Sequence, residues 1–196
     1  MCSTNTKSKH SSPCVAIPSV RQIKRARVVS RSLRNAQKFA NDTQPNFEFP
    51  IEPVASVKEA LRGADLIVTA TTAQEPVLQR EWIAPGAHIN AVGTFSPTAR
   101  EIDTATMAAA RLYVDRRESA LNEAGDYLLA AAEGAIGPEH IVAEIGEVLT
   151  GSKPGRQSPD EITLFESLGL AIEDLAAAEY VYRKAQKQNI GTWVKF

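Results

Sequence analysis

Three compact apolar runs recur along the chain with helix-forming stretches between them: Ala64-Asp65-Leu66-Ile67-Val68-Thr69-Ala70, His88-Ile89-Asn90-Ala91-Val92 and Arg111-Leu112-Tyr113-Val114. Compact apolar runs of this kind suit strands buried on both faces of a parallel sheet. Strands that alternate with helices at this spacing imply right-handed βαβ units, and so an open parallel sheet. The same rhythm begins earlier, with a short strand expected at 26–29, a helix at 33–41, an extended segment at 47–54 and a helix at 56–61 opened by the capping Ser56. It continues later, with a last strand at 162–165 and a long helix at 169–188 whose Leu170, Leu175, Ala178, Val181 and Tyr182 form an apolar stripe. Residues 151–160, with Pro154, Gly155 and Pro159, read as a surface loop. The expected fold class is α/β, a Rossmann-like doubly wound parallel sheet.

Residues 1–20 lack apolar periodicity and are rich in Ser, Thr, Lys and Pro, so they are expected to form a disordered leader before a globular unit at 21–196. The first 35 residues carry eight cations, and the first carboxylate is Asp42, which also admits an organellar transit peptide. Over the whole chain the 22 basic and 23 acidic residues nearly cancel, so no global field draws nucleic acid or an anionic membrane. No apolar run approaches the roughly 20 residues that span a bilayer. Cys2 and Cys14 both fall in the leader and suggest no disulfide framework, which fits a reducing, cytoplasmic setting. His10, His88 and His140 show no metal-ligand spacing, and no catalytic residue is assignable from the pattern.

In an open parallel sheet, ligands collect beyond the carboxyl ends of the strands. Three places of similar character stand there: Thr69-Ala70-Thr71-Thr72, Gly93-Thr94 and Ser167-Leu168-Gly169. Their small hydroxyl residues and glycines let backbone approach a flat ligand, although each could equally be a simple strand cap. After the 26–29 strand, a NAD-binding fold usually places a carboxylate for the adenosine ribose. Here Ser30-Arg31-Ser32 stands instead, a guanidinium between two hydroxyls that suits a 2′-phosphate or, alternatively, a solvated sheet edge. Against this, the first glycine of the chain is Gly63, so no Gly-x-Gly-x-x-Gly turn precedes the first strand and the pyrophosphate has no visible cradle. Glu123-Ala124-Gly125-Asp126 reads as a turn after a helix or as a carboxylate pair facing substrate, and Glu173 and Asp174 as charges compensating a helix dipole.

Four segments in this order and at these distances carry a resemblance: residues 63–72, Pro85-Gly86-Ala87-His88-Ile89-Asn90-Ala91-Val92-Gly93, Glu123-Ala124-Gly125-Asp126, and Phe165-Glu166-Ser167-Leu168-Gly169-Leu170-Ala171-Ile172-Glu173-Asp174. The chain resembles the ornithine cyclodeaminase and mu-crystallin family over roughly residues 21–194. The resemblance implies a two-domain NAD(P)-dependent protein, of which this chain holds the Rossmann part without its first strand and glycine-rich loop. It implies that Ser30, Arg31 and Ser32 hold the adenosine ribose and phosphate, that Thr71, Thr72 and Val92 line the cofactor, that Ser167 approaches the nicotinamide end, and that Thr94 and Glu123 face the substrate. NADP is the expected cofactor, with NAD as an option. The family's cyclodeaminases carry an aspartate two residues beyond the glycine matching Gly93; Phe95 stands there, so cyclic imino-acid (ketimine) reductases fit better than a cyclodeaminating lyase. The family's active-site lysine and arginines have no counterpart in the leader, so the chain is expected to be inactive alone. The rival expectation is a non-catalytic module that binds a nucleotide or small ligand. Expected partners are a small amino-acid or imino-acid ligand and a second copy or a full-length relative.

Overall fold

The computed structural model describes residues 13–94, 96–192 and 194. Its helices are α1 (Pro13–Val20), α2 (Leu33–Thr43), α3 (Val57–Leu61), α4 (Thr104–Ala109), α5 (Arg117–Glu123), α6 (Gly125–Ala132), α7 (Ile145–Leu149) and α8 (Ala171–Gln188). Its strands are β1 (Ala26–Val28), β2 (Ile51–Pro53), β3 (Leu66–Thr69), β4 (His88–Ala91), β5 (Arg111–Val114), β6 (Ile141–Glu144) and β7 (Thr163–Glu166). All strand pairs are parallel, the pairing expected from the compact apolar runs. They form two sheets, β1-β2 and β3-β4-β7-β5-β6, where the periodicity suggests one. The break lies between β1 and β3, the position that the first strand holds in a 3-2-1-4-5-6 dinucleotide-binding sheet.

The larger sheet has one deeply buried face. Ile67, Ile89, Ala91, Leu112, Val114 and Leu164 pack there with Ile102, Met107, Ala124, Tyr127 and Ala130. The other face is less fully covered: His88, Asn90 and Phe165, together with Ile17 and Pro18 of α1 and the facing residues of β1 and β3, line an open cavity of about 1210 Å³.

Most expected elements are present with trimmed ends. Ser32 and Ser56 cap α2 and α3 by accepting from the amides of Asn35 and Glu59. The 47–54 segment is regular only over β2, because Gln44 ties its side chain to the carbonyls of Phe47 and Phe49 and the amide of Ile51. The strand expected to come last, β7, is inserted between β4 and β5, so its following residues reach the centre of the carboxyl edge. Part of the expected disordered leader, 13–20, is helical: Pro13 opens it in the position that tolerates a missing N–H, and Ile17 finds apolar surface at the cavity. The remainder of that leader, 1–12, lies outside the described residues.

Helix α8 departs most from expectation. Most of its stripe is uncovered among the described residues: Leu175, Val181 and Tyr182 are 64%, 63% and 54% exposed, and only Leu170, just before the helix, is half-buried. Periodicity reports that a face is apolar, not that a partner covers it. The helix is held by local terms, with Glu173 and Asp174 in its first turn, Lys187 in its last, a Glu179–Arg183 pair, and a left-handed Asn189 closing it. No helix among the described residues is long and apolar enough to cross a membrane.

Candidate functional site

Ser30 and Arg31 follow directly from β1, and Thr71 and Thr72 follow from β3. Although the two strands belong to different sheets, these residues meet around a cavity of about 400 Å³, completed by Val28, Val29, Asn35, Phe39 and Val77. The wall combines apolar side chains with hydroxyls and the cations Arg31 and Lys38, a composition that suits a sugar bearing an anionic group. Arg31 is exposed, and no carboxylate lines the cavity. Ser32 is placed differently from the expectation, since its hydroxyl caps α2 and it does not line the cavity.

Val92, Thr94, Glu123 and Ser167 lie along the same carboxyl edge but outside that cavity. Val92 donates its amide to Thr69 O and is 37% exposed, so it forms a lip. Thr94 is buried; its hydroxyl makes no hydrogen bond of good geometry yet lies near enough to Asp126 to favour the ionised carboxylate. Glu123 is exposed at the last position of α5, and Ala124 alone separates that helix from α6, so the expected turn is a helix-to-helix junction. Ser167 donates its amide to Ala91 O and lies 3.4 Å from Asp115 Oδ2 through Oγ. Phe95, the position that distinguishes the cyclodeaminase reading, lies outside the described residues.

Beneath these residues runs a set of buried carboxylates, of which the sequence singled out only Asp126, as a turn residue or one of a substrate-facing pair. Glu101 is 0% exposed; Oε1 accepts from the Thr71 amide at 2.6 Å and Oε2 from the Gly93 amide at 3.2 Å. Asp126 Oδ1 accepts from the amides of Glu101 and Ile102 at 2.8 and 2.7 Å. Asp115 Oδ2 accepts from the amides of Leu168 and Gly169 at 2.7 and 2.6 Å. Glu101 and Asp115 thereby gather loose N–H groups beyond strand ends, and Asp126 those of the segment that carries Glu101. Glu166, the last residue of β7, is 1% exposed and neither oxygen has a protein partner among the described residues. Burial, with the charges of Asp126, Glu101 and Asp115 nearby, raises its pKa well above the usual carboxylate range. Burial likewise lifts Asp126 to about 6, against the opposing pull of the Ile102 amide.

One signal for this set was visible: Asp126 and Glu166 sit inside the segments that carry the resemblance. Glu101 gives no such signal, because a carboxylate between Arg100 and Ile102 looks like any surface charge until the chain is folded.

Residues 8–189 match the ornithine cyclodeaminase/mu-crystallin family. Ketimine reductase mu-crystallin of Mus musculus is 48% identical over 159 residues, 81% of this chain and 47% of that protein. Delta(1)-pyrroline-2-carboxylate reductase of Bacillus cereus is 38% identical over 182 residues, 92% of this chain and 56% of its own. Among solved structures, Delta(1)-pyrroline-2-carboxylate reductase of Thermococcus litoralis, in complex with NADH and L-proline, superposes with a TM-score of 0.87 at 43% identity, over 91% of this chain and 55% of that one. The chain spans about half the length of these relatives.

Proposed function

Because the chain belongs to the ornithine cyclodeaminase/mu-crystallin family, we propose that it is the nucleotide-binding portion of an NADP-preferring reductase of cyclic imino acids. In this reading residues 21–196 are the functional unit. The observation that carries the proposal is the 400 Å³ cavity, in which Ser30 and Arg31 from one sheet face Thr71 and Thr72 from the other. A guanidinium beside a hydroxyl, with no carboxylate in the wall, suits a phosphorylated ribose better than a bare 2′-hydroxyl, so NADP takes precedence over NAD.

The residues fit the two ends of a dinucleotide unequally. Ser30 and Arg31 would hold the adenosine ribose and its phosphate; Val92 and Ser167 stand along the edge where the nicotinamide end would run, and Thr94 and Glu123 on the substrate side. When bound, the nicotinamide supplies the hydride for reducing a C=N bond. Between the two ends, no glycine-rich turn opens a helix toward the pyrophosphate among the described residues, so binding rests on the ribose end. That asymmetry favours, as the second reading, a module that binds nucleotide without completing the reaction alone, with a small amino-acid or imino-acid ligand and a second copy or full-length relative as partners, in the cytoplasm.

A fluorescence titration with NADPH and with NADH tests the reading. NADPH is expected to bind the more tightly, and Arg31→Ala to weaken it by roughly ten- to hundredfold, the worth of a charge-assisted hydrogen bond. Absence of binding by either nucleotide, or equal affinity that Arg31→Ala leaves untouched, refutes it.

A further inference from the structure

The ends of β3 and β4 carry the two lips of the ligand edge, Thr71-Thr72 on one and Val92-Gly93-Thr94 on the other. Beyond the strand ends, a parallel ladder no longer holds adjacent segments at a fixed distance, and backbone N–H groups there need other acceptors. One buried side chain serves both lips. Glu101 reaches the Thr71 amide with one oxygen and the Gly93 amide with the other, so the carboxylate works as a two-pronged staple. The staple is itself fixed from behind, because Asp126 Oδ1 takes the amides of both Glu101 and Ile102.

The packing at Gly93 shows how close the staple sits. A Cβ placed there would come within 2.5 Å of Glu101 Oε2 and of the Thr71 nitrogen, so only glycine lets the second lip approach the carboxylate. Gly125, at the start of α6, is crowded in the same way by the carbonyls of Ser96 and Ala99, which anchors the segment leading from Thr94 to Glu101. Two glycines and two carboxylates thus add to the hold that Arg100 gives this loop through Gln74 O and Glu133.

We propose that Glu101 is the positioning residue of the ligand edge, locking the Thr71 and Gly93 lips at the separation that a bound nucleotide requires, with Asp126 holding Glu101 in register. The proposal rests on the nucleotide reading for the identity of the ligand, and on the hydrogen-bond geometry for the clamp. Glu101 touches neither nucleotide nor substrate in this account; it acts through the backbone of residues that do.

Backbone hydrogen exchange, followed by NMR on the full chain, reads the clamp without any ligand. Slow exchange of the Thr71 and Gly93 amides is expected in the unaltered protein. In Glu101→Gln, which keeps the shape but offers one acceptor, at least one of these amides should exchange roughly ten- to hundredfold faster while Ile89 and Leu112 keep their rates. The Kd for NADPH should rise about tenfold in the same variant. Glu101→Asp, which keeps the charge but is too short to span both lips, is the second variant and should behave alike; its chemistry separates reach from charge. Fast exchange at both amides in the unaltered protein, or unchanged exchange and unchanged Kd in the variants, overturns the proposal. If the two amides loosen in the variants while no form binds NADPH, the clamp stands and the nucleotide reading falls. If NADPH binds every form equally and the amides do not respond, the reverse holds.

Discussion

Replacing Asp126 by Asn tests whether the buried carboxylates under the ligand edge cost folding free energy at neutral pH. Asp126 is 0% exposed, and burial lifts its pKa from an ordinary 3.8 to about 6. Between those two values the folded state binds more protons than the unfolded one, so stability falls as pH rises through this window. At 1.36 kcal/mol for each pKa unit, a shift of about two units means that the ionised carboxylate costs the fold up to about 3 kcal/mol at pH 8. Asparagine removes that charge and keeps Oδ1 for the amides of Glu101 and Ile102. Its new N–H groups need acceptors, and the free oxygens of Glu166 and the Thr94 hydroxyl are buried in the same region. Allowing about 1 kcal/mol for imperfect pairing, Asp126→Asn is expected to be about 1–2 kcal/mol more stable than the unaltered chain at pH 8 and no more stable at pH 4. Urea denaturation at pH 4, 5, 6, 7 and 8 measures both the difference and its slope. Because Asp126 and Glu166 repel one another, the proton belongs to the pair, and Glu166→Gln should flatten part of the same profile. A variant less stable at pH 8 by more than 1 kcal/mol, or an unchanged slope between pH 4 and 7, would refute the reasoning.

Gly93→Ala should abolish nucleotide binding and cost roughly 2 kcal/mol or more in urea titration, because its Cβ would meet Glu101 and the Thr71 nitrogen at 2.5 Å; a variant of native stability and affinity would be inconsistent with the packing. Arg31→Glu should invert the nucleotide preference, placing a carboxylate where a 2′-phosphate would be repelled and a ribose hydroxyl accepted, and a binding competition between NADH and NADPH reports it. Leu175→Ala on α8 should change unfolding free energy by under about 0.5 kcal/mol, whereas Leu164→Ala in the sheet, fully buried, should cost about 2–5 kcal/mol; comparable losses at the two sites would mean that α8 packs in solution.

Apolar runs were legible because central parallel strands concentrate β-branched and apolar residues; β3, β4 and β5 lie within one or two residues of the runs that announce them, although β3 and β4 prove fully buried on one face only. β6 was not, since Ile141-Val142-Ala143-Glu144 is flanked at once by the short helical turns Pro138–His140 and Ile145–Leu149, which blur its period. The two-sheet division was half legible: that no glycine precedes Gly63 is read directly from the sequence, but the break between β1 and β3 appears only once strand order is known. For the site, Ser30, Arg31, Thr71 and Thr72 were readable because they stand just after strands, where topology alone brings them to one edge. Glu101 and Asp115 were not, because their role is to accept backbone amides from segments 30 and 53–54 residues away, a relation that no local spacing records.

The carboxylate clamps also decide which groups remain for an anion. In a dinucleotide fold the phosphates are met by backbone N–H groups at a strand-to-helix turn. Here the amides of Thr71, Gly93, Leu168 and Gly169 point inward to Glu101 and Asp115, so they are spent on holding the edge together. The carboxylates behind them add negative potential, which opposes a phosphate placed directly over β4 or β7. In the proposed reading, anion recognition falls to the β1 end, where Ser30, Arg31 and Lys38 line the cavity and α2 begins just beyond. Binding by the exposed Arg31, with Lys38 also in the cavity wall, would be screened by salt, since the Debye length shrinks from about 10 Å at 0.1 M to about 3 Å at 1 M. NADPH affinity should therefore fall steadily between 0.05 and 0.5 M salt, by about tenfold or more, while NADH affinity changes little. A salt-insensitive NADPH titration would locate the phosphate on backbone amides after all and require the Glu101 and Asp115 clamps to open on binding.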